Sequence, residues 1–189
     1  MGFMKLEKNT LLLILLASIL SVGVYFYEIR TESNKTENQQ EQQLFTVQEK
    51  DIQKITIHRP DRNLEFVRSP DNSESWQMKS PQDVPAEDGR MAFLLDLLVN
   101  GKKERSFTVP QQQLSQYGLE KPIGKITIET NNKQTQEIIL GKPALEPNTI
   151  YAQIINPQGN NSEIEIVVVS QNWQYAIEPQ VSEWIAQDE

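Results

Sequence analysis

The sequence predicts an α+β fold, with an N-terminal transmembrane helix followed by antiparallel β-meanders against one main packing helix. Three observations carry that expectation. Residues 10–27 read TLLLILLASILSVGVYFY without a charge; most later apolar residues recur with period two; and one segment, from about residue 86 to 101, switches to helical spacing.

The apolar run comes first. Eighteen uncharged residues are near the lower limit for crossing a hydrocarbon core of about 30 Å at 1.5 Å per residue. Lys5 and Lys8 precede the run, Arg30 follows it, and Tyr25, Phe26 and Tyr27 sit where aromatic rings favour the headgroup interface. A cleaved signal would need small residues at that junction, and the aromatic cluster occupies the place. Residues 1–9 are therefore a short tail and residues 10–27 an uncut anchor. The amino terminus tips an otherwise even Lys/Arg count, placing the N-terminus in the cytoplasm and the remainder outside it, in a periplasm or a thylakoid lumen. Residues 28–43 form a polar linker; from Thr31 to Gln43 it has no aliphatic or aromatic side chain and so nothing to bury.

The folded part, 44–189, opens with Ile52–Ile57 and Leu64–Val67 around Arg59-Pro60-Asp61-Arg62-Asn63, which reads as a β-hairpin. Ser75–Lys79 adds a short strand with Trp76 and Met78 on one face, and Pro81 and Pro85 stop the sheet. Ala86-Glu87-Asp88 then offers carboxylates to the unpaired amides of a first helical turn. Met91, Leu94, Leu95 and Leu98 follow at helical spacing, and Asn100-Gly101 reads as a left-handed stop.

Between this helix and the next strand lies Gln111–Pro122, QQQLSQYGLEKP. Taking Pro110 as the first helical position and Gly118 as the residue just past the end, Leu114 and Leu119 occupy the two positions whose side chains touch in a Schellman stop. Architecture accounts for Leu114, Gly118, Leu119 and Pro122, and leaves Tyr117 free. Four strands succeed it, at 123–130, 134–140, 149–155 and 163–170, separated by turn residues, and a helical stretch around 181–186 closes the chain. Lys54-Ile-Thr-Ile57 recurs as Lys125-Ile-Thr-Ile128; either the halves 44–109 and 110–189 are pseudo-repeats, or two strands share a common composition.

Composition narrows the chemistry. Residues 31–189 carry 15 Lys plus Arg against 24 Asp plus Glu, a net charge of −9, which opposes nucleic acid and anionic surfaces. One histidine, His58, and no cysteine leave no zinc site of nitrogen and sulfur ligands; a Ser/His/acid triad would have to use His58, which ends a strand before Arg59-Pro60 and reads as a surface turn residue; and no glycine-rich phosphate loop is present. Glu87 and Asp88 are adjacent, so they point apart on a helix; Glu163 and Glu165 share a strand face without the neighbouring ligands of a calcium loop. No catalytic residue, metal ligand or cofactor site is expected, and the chain is read as no enzyme. Surfaces remain. Tyr117, the loop residues Pro143, Leu145 and Pro147, and the aromatics Trp173, Tyr175 and Trp184 are the candidate partner-binding residues, against the alternatives of a rigid loop with no partner and of a terminal helix packing its aromatics onto the sheet.

Several of these features together resemble a known family. A Trp-bearing strand (Trp76), Pro85-Ala86-Glu87-Asp88 opening a helix, Tyr117-Gly118-Leu119 with Pro122, the pair Leu140-Gly141, and the Tyr151-Ala152 strand are similar to the domain-of-unknown-function family numbered 4340, over about residues 50–178. The short anchor and Gln-rich spacer resemble a stand-alone, cyanobacterial-type member. The resemblance implies an envelope location and an accessory role, since some members accompany ABC-type transport components. It brings no catalytic residues. The expected function is that of a membrane-anchored extracytoplasmic protein-binding domain, a scaffold or assembly factor for an integral membrane complex or transporter; the alternative is a periplasmic small-molecule or glycan-binding module.

Overall fold

The computed structural model describes residues 42–70, 75–155 and 163–187. The expected span at 10–27 lies outside the described residues, among which no helix is long and apolar enough to cross a membrane. The folded unit runs from Gln42 onward, and Gln43, expected in the linker, already bridges Lys102.

One open antiparallel sheet of nine strands organises the domain. The first hairpin is β1 (Ile52–His58) and β2 (Asn63–Arg68), joined as expected across the Arg-Pro-Asp-Arg turn. Next to β2 lies β3 (Trp76–Ser80), then a two-residue edge strand, β4 (Val84–Pro85). Pro85 therefore sits in the sheet rather than beyond it, at an edge where its missing amide costs no ladder bond.

Helix α1 (Asp88–Asn100) follows, with Glu87 as its N-cap: the carboxylate accepts from the amides of Gly89 (3.0 Å) and Arg90 (2.6 Å). Its stop differs from the expectation. Gly101 has φ −61° and ψ 135°, an extended conformation, so a left-handed turn is not why glycine stands there. Space is the reason: a Cβ would lie 2.2 Å from the Leu97 carbonyl oxygen and 2.7 Å from Cζ2 of Trp173. The chain then enters β5 (Lys103–Pro110), a strand the sequence pattern did not reveal. Five of its eight residues are exposed, and it forms the far edge of the sheet beside β9 (Glu163–Ser170).

The second meander is β6 (Gly124–Thr130), β7 (Thr135–Pro143), β8 (Thr149–Ile155) and β9. It joins the first through β1 and β6, so the strand order is β4-β3-β2-β1-β6-β7-β8-β9-β5. The repeated tetrapeptides lie side by side there, with Ile55 opposite Ile128 and Ile57 opposite Ile126.

Burial follows the pleat. Ile55, Ile57, Leu64, Phe66, Met78, Ile126, Ile128, Ile138, Leu140 and Ile150 point to one face, where α1, the short helix α2 (Asn172–Ile177) and a 3₁₀ turn at Val181–Trp184 cover them. The closing helical stretch expected near 181–186 is thus a 3₁₀ turn preceded by a helix that the sequence reading missed. Across β1, β2 and β6 the opposite face is polar, with ion pairs such as Lys54–Glu65 (3.0 Å) and Lys125–Glu137 (3.1 Å). Beneath β5, β8 and β9 that same face closes over a second, smaller core of Val109, Leu119, Tyr151, Ile166 and Val168. Residues 166–169 of β9 are consequently buried on both sides.

Candidate functional site

The Tyr-Gly-Leu stretch builds this smaller core. Gln111–Tyr117 is a 3₁₀ helix rather than an α-helix, and it ends as the offsets predict. Gly118 adopts φ 73°, its amide bonds back to Ser115 (3.2 Å), and the Leu119 amide reaches the Leu114 carbonyl (3.1 Å). Those two bonds define the Schellman stop, and Leu114 and Leu119 both pack into the small core. The turn is then seated on β7. A Cβ on Gly118 would lie 2.7 Å from the Lys142 amide nitrogen, and one on Gly141 would lie 2.2 Å from the Tyr117 carbonyl oxygen. Backbone meets backbone, which only paired glycines permit.

Tyr117 is not left free by this arrangement. Its ring lies 5.0 Å from Tyr151 and 5.4 Å from Phe107, centroid to centroid, in a three-ring cluster. Half-buried edge and tilted contacts of this kind make it a packing residue with one rim in solvent.

The loop after β7 is the outstanding surface feature. Its start differs from the expected Gly141, because β7 continues through a register irregularity to Pro143, opposite Ile150. The remaining loop, 144–148, is tied down along its length. The Ala144 amide donates to the Thr149 carbonyl (2.9 Å), Thr149 Oγ1 donates to the Glu146 carbonyl (2.7 Å), and the Gln171 amide donates to the Asn148 carbonyl (2.7 Å). The Arg105 guanidinium on β5 pairs with Glu146 at 3.0 Å. Pro143 and Pro147, both exposed, restrict the backbone further. From this pinned frame Leu145 projects with 87% of its surface exposed, the most exposed large apolar side chain among the described residues.

The remaining candidates divide. Tyr175, on α2, is 49% exposed, and the residue preceding that helix, Gln171, is the one bonded to Asn148. Of the two roles open to Trp173 and Trp184, a contact surface or packing onto the sheet, the structure gives the second: they lie in the main core at 1% and 0% exposure. Trp173 meets Phe45 edge-on at 6.2 Å and Trp184 meets Phe66 at 4.9 Å with the rings tilted by 43°, so closing the sheet face is what these rings do. Neither is available to a partner.

Sequence reasoning overlooked a clamp that fixes the C-terminal segment. Arg59 donates to the carbonyls of Ile177 and Glu178 (2.9 Å each), and Arg62 to those of Glu178 and Pro179 (3.0 Å each) and to the Gln180 side chain (3.2 Å). Of the carboxylates weighed for chemistry, Glu87 caps α1 and Glu165 pairs with Lys103 at 3.0 Å. Burial works against the charge of Glu165, but hydrogen bonds from Lys103 and Ser106 outweigh it and hold its carboxyl below the usual range. Among the described residues no group of three or more His, Asp or Glu side chains is placed to hold a metal ion. His58 hydrogen-bonds Asn63 through Nδ1 (3.0 Å) at the head of the first hairpin.

The residues of the proposed motif thus meet in one place: Tyr117, Gly118 and Leu119 against Gly141, with Tyr151 beneath. A model of the family described as domain of unknown function (DUF4340) matches residues 76–189. The chain belongs to the DUF4340 family. The match begins at Trp76, so it takes in β3 to the C-terminus and leaves out the first hairpin, which the resemblance had included. No curated protein and no solved structure matches the chain.

Proposed function

We propose that this DUF4340 member works by binding protein, as a membrane-anchored extracytoplasmic scaffold or accessory factor of a membrane complex or transporter. One observation carries the reading: Leu145 is held out in water by a loop with four fixing contacts and two prolines. A lone exposed leucine on a surface is ordinary. A leucine on a frame already ordered is different, because little further entropy is lost when a partner covers it, while burying the side chain contributes about 1.5–3 kcal/mol. Residues 10–27 supply the anchor in this reading, with the N-terminus in the cytoplasm and the folded domain in a periplasm or thylakoid lumen, supported by the uncharged run and its aromatic flank. The same reading takes 44–109 and 110–189 as two copies of one meander-and-helix unit, supported by the pairing of the identical tetrapeptides across β1 and β6 and by a helix after each meander.

The test is co-purification of the full chain from detergent-solubilised membranes. Wild type brings down a stoichiometric membrane complex, and Leu145→Asp does not, while its unfolding midpoint is unchanged. Recovery of wild type alone, or an equal yield of complex with Leu145→Asp, would overturn the proposal.

A further inference from the structure

A second surface feature has none of the Leu145 loop in its lining. It is a groove of about 500 Å³ between the head of the first hairpin and the segment following that turn. This is within the range of about 300–1,000 Å³ that small-ligand sites occupy. Pro60, Pro122 and Ile139 give it an apolar lining, and Ile139 also packs into the small core, which fixes one wall to the sheet.

Its charge is opposite to that of the chain. His58, Arg59, Lys121 and Lys125 line the groove and no Asp or Glu does, although the protein as a whole carries −8. Two of these cations have carboxylate partners outside the lining: Arg59 with Asp61 (3.3 Å) and Lys125 with Glu137 (3.1 Å). Lys121 is exposed, and among the described residues no carboxylate lies within ion-pair distance of its ammonium. An apolar lining beneath one uncommitted ammonium is complementary to a molecule with an apolar body and a single negative end.

We propose that this groove is a binding site for a small organic carboxylate, its apolar body on Pro60, Pro122 and Ile139 and its carboxylate on Lys121. The site is separate from the Leu145 surface and independent of the protein-binding reading. Binding here involves no bond making or breaking, so the groove recognises and does not transform its ligand.

The experiment titrates the purified full chain in lipid nanodiscs with 3-phenylpropionate by calorimetry, with empty nanodiscs as the blank. Acetate supplies the charge without the apolar body, and 3-phenylpropanamide the body without the charge. The expected result is saturable binding of 3-phenylpropionate, at least about tenfold weaker binding of either control, and about tenfold loss in Lys121→Gln, the effect of removing one charge-assisted hydrogen bond. Lys50→Gln, an exposed lysine outside the groove, leaves the affinity unchanged. No saturable binding, equal binding of carboxylate and amide, or unaltered affinity in Lys121→Gln would each overturn the assignment. Because Lys121 is exposed, an unchanged thermal midpoint in the variant separates loss of the site from loss of the fold.

Discussion

Replacing Gly141 by alanine tests whether the motif glycines serve architecture. The new Cβ would lie 2.2 Å from the Tyr117 carbonyl oxygen, 3.2 Å from Leu119 Cδ2 and 3.2 Å from the Tyr151 carbonyl oxygen. Opening the first contact to 3.0 Å needs a displacement of roughly 0.8 Å between two backbone segments, one of them a Schellman turn and the other a paired strand. Neither yields as a flexible side chain would, so the cost belongs at the upper end of the overpacking range, about 3 kcal/mol. With a urea slope of about 2 kcal/mol/M, the unfolding midpoint falls by roughly 1.5 M. Tryptophan fluorescence reads the transition, since Trp76, Trp173 and Trp184 are all buried. Gly89→Ala is the internal control: its Cβ would be 3.2 Å from a capping carboxylate oxygen of Glu87, a contact relieved by a shift of a few tenths of an ångström, and the helix propensity gained from alanine offsets any weakening of the cap, so the change costs no more than about 0.5 kcal/mol. If Gly141→Ala unfolds at the same urea concentration as Gly89→Ala, the seating of the turn on β7 is not what requires glycine.

Three further outcomes are expected. Arg62→Ala lowers stability by about 2–3 kcal/mol in urea unfolding, because its hydrogen bonds to the Glu178 and Pro179 carbonyls come from a charged donor that is 14% exposed; Arg62→Lys restores little, lacking the planar fork. The Lys103–Glu165 pair contributes only while Glu165 is ionised. Its folded carboxyl titrates below the usual range, so the stabilisation is complete above that range and is lost as pH falls through the lowered value; the stability gap between wild type and Lys103→Gln, measured across acid pH, closes in that direction. In membrane vesicles sealed with the non-cytoplasmic face outward, added protease cleaves the domain and leaves the first nine residues protected; in vesicles of the opposite sidedness the domain is cleaved only after lysis, and the reverse pattern would overturn the orientation.

Much of the sheet was legible because its residues obey a simple period. Ile55, Ile57, Leu64 and Phe66 alternate, and the structure buries all four on one face. The Schellman stop was legible too, since Leu114, Gly118 and Leu119 stand at fixed offsets that local geometry dictates. What escaped was decided by long-range packing. Strand β5 begins Lys-Lys-Glu-Arg's last three residues at an edge, where polar side chains are tolerated and alternation disappears. Trp173 and Trp184 carry no local mark distinguishing a core ring from a contact ring; their burial depends on α1 and on Phe45 and Phe66, far away in the chain. The arginine clamp joins residues 116 to 119 apart, beyond any window of pattern. Asn100-Gly101 has the pattern of a left-handed stop, but glycine is required there by the nearness of the Leu97 carbonyl and Trp173, and no sequence spacing encodes the contact with Trp173. For the candidate surface, the two prolines marked the loop, while the exposure of Leu145 and the four contacts behind it came only from the fold.

The most direct test of the protein-binding account is site-specific photo-cross-linking in native membranes. A benzophenone side chain placed at Leu145 is predicted to give one discrete adduct with a membrane-complex subunit, and the same group at exposed Lys50 none. Absence of any adduct from position 145, or the same adducts from both positions, would contradict it.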